Sequence, residues 1–264
     1  MIEIGAHEIV LTLASGSLVG FFLALFGGGG SVLAAPLLIS LVGVAVPHIA
    51  IGTSAAAVAT NAFAGLLGHW RKGRVKWPCA VVFALVGVIG SYIGSSLAKS
   101  IDGNILLIAF AVAMVVIALA MFRKPKSEGN PDVLLDRHLA ARLAPLGLLA
   151  GLAAGFFGIG GGFLIIPGLM LATGMTISNA AASSLLSVTV YGATTAANYA
   201  IDGLVDWRLY GLLVAGGVLG TFIGLKLADR LATRMSLLRR LFALMVILVA
   251  ISIAWKFWGL LFGL

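Results

Sequence analysis

Phe26-Gly27-Gly28-Gly29-Gly30-Ser31, followed by Pro36, decides how this chain is to be read, because the pattern occurs twice. Phe157-Gly158-Ile159-Gly160-Gly161-Gly162, followed by Pro167, repeats it at an offset of 131. After a one-residue deletion the register becomes 130. Thr53-Ser54 then meets Ser183-Ser184, Gly73, Val75 and Trp77 meet Gly203, Val205 and Trp207, and Gly87, Gly90 and Gly94 meet Gly217, Gly220 and Gly224. With 35 glycines, chance supplies glycine pairs. It does not readily supply a Pro, a Trp and the glycine run in one register. The chain reads as a tandem duplication of a five-element unit.

Composition says what the unit is made of. Of 264 residues, 61% are hydrophobic and 10% charged, against about 25% charged in an average soluble domain. Mean hydropathy is +1.14. A compact soluble body is excluded, and the length suits about eight to ten membrane-crossing elements. Charge-free runs fall at about Ile9–Phe26, Val32–Val44, Ile49–Leu67, Trp77–Leu97 and Asn104–Phe122. They resume at Leu143–Phe157, Phe163–Leu171, Ile177–Asn198, Trp207–Leu227 and Leu241–Leu264. A bilayer core needs about 20 helical residues. The second run of each half is shorter and follows a glycine cluster, which predicts a broken or re-entrant half-helix. The expected fold is an all-α polytopic membrane protein. Residues 1–122 form a first membrane repeat, 123–141 a cytoplasmic linker and 142–264 a second repeat.

The net charge of +8 is no nucleic-acid signal, because Lys and Arg sit between apolar runs and act as topology determinants. Arg71, Lys72, Arg74 and Lys76 follow the third run, whereas the matching loop of the second unit carries Asp202, Asp206 and Arg208. After the fourth run the bias reverses: Lys99 and Asp102 against Arg230, Arg234, Arg239 and Arg240. With the linker residues Arg123, Lys124, Lys126, Arg137 and Arg142, and Lys226, one side collects 14 of the 17 basic residues. One duplicated unit with swapped loop charge predicts inverted-topology repeats with both termini outside, in a bacterial-type cytoplasmic membrane. Glu3 and Glu8 stand where a signal peptide carries its basic region, so no cleaved leader is expected. The single Cys79 excludes an intrachain disulfide and a multi-cysteine metal cluster.

Four consecutive glycines inside lipid cost helix stability of about 1 kcal/mol each relative to Ala, and irregular backbone is tolerated at that depth only where protein or a water-filled cavity surrounds it. A helix restarting near Ser31 puts Pro36 where its missing N–H costs little. The restart presents free N–H groups and a positive dipole end to an anion. Close helix packing through small residues is the simpler alternative. Thr53, Ser54, Asn61, Ser183, Ser184, Thr194, Thr195 and Asn198 lie inside apolar runs as neutral hydrogen-bonding groups. Such hydroxyls also bond back to their own helix or join helices. All nine acidic residues fall in loops, at termini or at helix ends. That argues against a cation substrate and against a carboxylate proton carrier. His48 and His69, at run ends, remain as candidates for proton linkage, with interfacial placement as the simpler reading.

These runs, together with Pro47-His48-Ile49-Ala50-Ile51-Gly52-Thr53-Ser54, resemble the TauE/SafE family of sulfite-exporter-like anion permeases over essentially the whole chain. The second unit has Ala182-Ser183-Ser184 in place of Gly-Thr-Ser. The resemblance implies a secondary transporter for a small sulfur oxyanion, sulfite or an organosulfonate, and only the resemblance implies export. The substrate-binding candidates are Gly28, Gly29, Gly30, Ser31, Gly52, Thr53, Ser54, Asn61, Gly160, Gly161, Gly162, Ser183, Ser184 and Asn198. The two half-helix starts are expected to meet near the bilayer midplane, with both hydroxyl pairs lining one cavity. No cofactor, metal or catalytic residue is expected. The expected partners are a small anion and the lipid bilayer, with a homodimer as a candidate assembly. A passive anion channel of the same fold is the alternative. An intramembrane enzyme would need a nucleophile–base pair or metal ligands, for which the chain has few residues. An assembly subunit would not require two matched helix breaks.

Overall fold

A computed structural model describes residues 5–122, 129–131, 133–158, 162–231 and 243–253. Helix α1 (Ala6–Phe26) runs into a 3-10 stretch (Gly27–Leu33), a short α2 (Ala34–Leu37) and a π turn (Leu38–Val42). Then come α3 (Pro47–Arg71), α4 (Trp77–Lys99), α5 (Gly103–Phe122), α6 (Arg137–Phe157), α7 (Gly162–Thr173), α8 (Ile177–Ile201) and α9 (Trp207–Leu231). A further apolar helix covers Ala243–Ile253. The described residues are otherwise turns, with one isolated bridge between Asn130 and Met175.

Local chemistry sets the boundaries. Proline occupies the first turn of α3 and of α4, where a missing N–H is harmless. The Asp136 carboxylate caps α6 by accepting from Leu139 N at 2.6 Å, and the Thr176 hydroxyl caps α8 by accepting from Asn179 N at 3.2 Å. Helices α1 and α6 end at Gly27 (φ 57°) and Gly158 (φ 64°), in a region that glycine enters without steric cost. The bounds of α1 and α6 differ by 131, and those of α3 and α8 by 130. Helix α6 begins at Arg137, so the last residues of the linker, 137–141, are helical. The first glycine run forms a tight 3-10 helix, which glycines enter readily because they have no Cβ to crowd its eclipsed i, i+3 positions.

Among the described residues, five stretches are long and apolar enough to cross a membrane: Ala6–Val42, Pro47–Arg71, Trp77–Lys99, Arg137–Phe157 and Trp207–Ala228. Helix α8 is as long as α3 but carries more hydroxyls and amides, most of them turned inward: Ser183, Ser184, Ser187, Thr195 and Asn198 are buried. The outer faces are apolar instead. Leu85, Ile89, Tyr92 and Ile93 of α4 and Leu219, Phe222 and Ile223 of α9 are exposed, as lipid-facing residues are.

Packing joins the two halves of the chain. Gly16 and Gly20 of α1 abut Leu213 and Gly217 of α9, so the residue numbers rise together and the pair is parallel. Gly147 and Gly151 of α6 abut Phe83 and Gly87 of α4 in the same sense. Helices α3 and α8 run antiparallel, with Gly52 on Tyr199, Gly192 on Ala55 and Ala59, and Gly65 on Leu185. The α3–α4 turn is therefore at one end of the molecule and the α8–α9 turn at the other. Their contacts agree: Lys76 N donates to Ser183 Oγ at 2.9 Å, and Asp206 N to Thr53 Oγ1 at 2.8 Å.

Candidate functional site

In an unbroken α1 the Gly28 N–H would bond the Ala24 carbonyl. It does not. Gly28 N donates to Ser184 Oγ of α8 at 3.0 Å, and the Ala24 carbonyl accepts from His69 Nε2 of α3 at 3.0 Å. Two side chains from two other helices replace the lost backbone bond. The Ser31 hydroxyl closes the turn by donating to the Gly28 carbonyl at 2.7 Å, and Ser184 donates onward to the Ala181 carbonyl at 2.7 Å. Gly27, Gly28, Gly30 and Ser31 are buried, and Gly29 is half-buried. Gly30 lies against the backbone of Phe22 and Leu23, so the chain doubles back along α1 after the turn. Within the second run, Gly158 packs on Ile51 and Gly162 opens α7. Gly160 and Gly161 lie outside the described residues.

The two hydroxyl pairs do not share a cavity. Thr53 and Ser183 lie roughly 20 Å apart along the helix axis at 1.5 Å per residue, because antiparallel α3 and α8 carry matched positions to opposite ends. The first glycine turn accordingly sits toward the α3–α4 end, beside Ser184, rather than at mid-helix. Thr53 and Ser183 do have matched roles, each accepting the N-cap amide of a helix in the other half. Ser54 donates to its own Ile51 carbonyl at 3.0 Å, and Thr194 to its own Val190 carbonyl at 2.8 Å. Gly52 is glycine for a packing reason: a Cβ there would run into the Leu204 carbonyl and the Tyr199 side chain. Its counterpart Ala182 is fully buried with its methyl accommodated.

Asn198 is fully engaged. Its amide donates to Ser95 Oγ at 2.7 Å and Ser96 Oγ at 3.0 Å, and its oxygen accepts from Lys99 Nζ at 2.8 Å. Lys99 also pairs with Asp202. Asn61 Nδ2 donates to the Leu213 carbonyl at 3.4 Å, while its Oδ1 is buried without a partner. Tyr191, at the matching position of α8, donates to the Phe83 carbonyl at 2.7 Å. His48 is half-buried and its Nε2 donates to the Ile101 carbonyl at 3.2 Å. His69 is only 6% exposed. Its burial comes from protein neighbours: the Ala24 carbonyl of α1 lies at 3.0 Å from its Nε2, and Leu225 of α9 packs on the preceding Gly68.

Sequence reasoning missed Tyr191, Tyr199 and the serines of α4. The signal for the tyrosines was the offset of 130, which equates Tyr191 with Asn61 and Tyr199 with His69. The α4 serines become meaningful only against α8, where Ser91 donates to the Tyr191 carbonyl at 3.0 Å and lies 3.1 Å from Thr195 Oγ1. An open cleft of about 580 Å3, lined in part by Val46, Ile49, Asp206 and Arg208, lies at the α8–α9 end, away from the first glycine turn.

The family described as "Sulfite exporter TauE/SafE" matches residues 12–253. A "Probable membrane transporter protein" of Xylella fastidiosa is 48% identical over 257 residues, covering 96% of this chain and 97% of its own. One of the same description from Haemophilus influenzae is 29% identical, over 94% of this chain and 98% of its own. YdhB of Bacillus subtilis, also a "Probable membrane transporter protein", is 26% identical over 80% of this chain and 87% of its own. No solved structure matches the chain.

Proposed function

The chain belongs to the sulfite exporter TauE/SafE family, and from that premise we propose that this multi-pass membrane transporter moves a small sulfur oxyanion, sulfite or an organosulfonate, outward across the cytoplasmic membrane. The observation that carries the reading is the buried turn Gly27–Ser31, where interrupted helix backbone meets neutral side chains and no fixed charge. Oriented N–H dipoles hold an anion there at lower cost than a buried Arg would. The first turn with Ser184 serves one end of the path. Gly158, packed on Ile51, with Gly52–Ser54 serves the other.

We read the chain as two inverted units, residues 1–122 and 142–264, with 123–141 between them on the cytoplasmic side and both termini outside. The supports are the swapped loop charges, the matching helix bounds and the antiparallel α3 and α8. Inversion presents one glycine turn to each face, as alternating access requires. Transport of this kind needs no catalytic residue, and none is assigned.

Reconstituted vesicles test the reading. Sulfite, thiosulfate, sulfate, sulfoacetate and taurine are offered in turn, with and without a pH gradient. Saturable flux of at least one sulfur oxyanion is expected, with accumulation against its own gradient. Flux that only ever dissipates the gradient would establish a passive channel of the same fold. No flux of any of the five would end the oxyanion reading.

A further inference from the structure

His69 and Tyr199 occupy the same place in the two halves, at an offset of 130. Both are buried, yet they differ in one respect that matters: an imidazole titrates in the physiological range and a phenol does not. His69 also occupies a position of consequence. It holds the Ala24 carbonyl, the acceptor freed when α1 breaks, while Ser184 holds the Gly28 amide, the donor freed by the same break. A carbonyl only accepts, so His69 must carry its proton on Nε2. The neutral ring is fixed in one tautomer, and a second proton enters at Nδ1.

We propose that His69 is a proton-responsive clamp on the first glycine turn, tightening the α1 break in acid and loosening it as the imidazolium deprotonates. The imidazolium bond to the Ala24 carbonyl is charge-assisted and about twice as strong as the neutral one. It also sits at the C-terminal, negative end of α1. Cations oppose it: Arg71 and Lys72 on its own helix, Arg74 in the turn beyond, and Lys226 at the same end of α9, which Asp229 and Arg230 follow in sequence. Helix α8 and the glycine turn bring no charge, and the only carboxylate of α1, Glu8, is at its far end. On the reading of this turn as the anion's site, the same protonation adds a positive charge beside the substrate and couples it to the proton. His48 holds the Ile101 carbonyl at the other end of α3 and has no such role.

The clamp is tested without reference to transport. Hydrogen exchange of the segment 22–33 is followed in lipid nanodiscs from about pH 5 to 8, corrected for the intrinsic pH dependence of exchange. In the parent the segment should exchange about tenfold faster at the alkaline end, the effect of one charge-assisted bond. His69→Gln keeps an N–H for the Ala24 carbonyl but cannot titrate, so it should remove the step. His69→Tyr, which places the residue of position 199 here, should do the same if the Gln variant fails to fold. His48→Gln should retain the step. A parent without the step, or a step that survives in both His69 variants, overturns the clamp. Absence of flux for all five anions beside an intact step overturns the transport reading and leaves the clamp standing. Thiosulfate, whose own charge is constant over this range, should lose the pH dependence of its flux in His69→Gln; retention there removes the coupling.

Discussion

Ser184 and Ser54 occupy matched positions and do unequal work. Both donate to the carbonyl three residues back on their own helix, but Ser184 also accepts the Gly28 amide. Removing its hydroxyl leaves that amide buried without a partner, a penalty of about 1–3 kcal/mol. Ser184→Ala should therefore lower the thermal unfolding temperature in detergent and weaken anion binding, and Ser54→Ala should lower the unfolding temperature less. Equal losses would mean that the Gly28 contact contributes nothing. The sequence showed that these serines recur in register. It could not show their partners, since Ser184 meets a residue 156 positions earlier and Ser183 one 107 positions earlier.

Helix pairing rests on glycines that let backbones touch. A Cβ at Gly20 would run into the Gly217 carbonyl, and one at Gly151 into the Gly87 carbonyl. Gly211, on the same α9, faces open space. Gly20→Ala and Gly151→Ala should each cost about 1–3 kcal/mol through overpacking. Gly211→Ala should leave stability unchanged or raise it slightly, because Ala is the better helix former. Thermal unfolding of the three variants separates these cases, and three similar curves would refute the packing role. Element boundaries were largely legible, since each charge-free run with described residues became a helix or, after the first glycine run, a chain of short helical turns. The choice of neighbour was not. Periodicity says which face of α1 is small, and only three dimensions say that α9 rather than α3 fills it.

For the molecule as a whole, the antiparallel α3 and α8 set the α3–α4 and α8–α9 turns at opposite ends, which is where the charge bias asks for opposite sides of a membrane. Arg71 and Ile201 occupy matched positions and are both exposed. With the buried Cys79 replaced by Ala, Arg71→Cys should react with an impermeant maleimide only after the cells are opened, and Ile201→Cys from outside intact cells. Labelling of both from one side would rule out the inverted arrangement. The cross-half pairing has a further consequence, one of timing. Ser17, Thr53 and Asn61 all find their partners on α9 or the turn before it. During synthesis these groups enter the bilayer before the residues that satisfy them have left the ribosome, so the first half inserts as an unfinished object and is completed only by the arrival of the last helices.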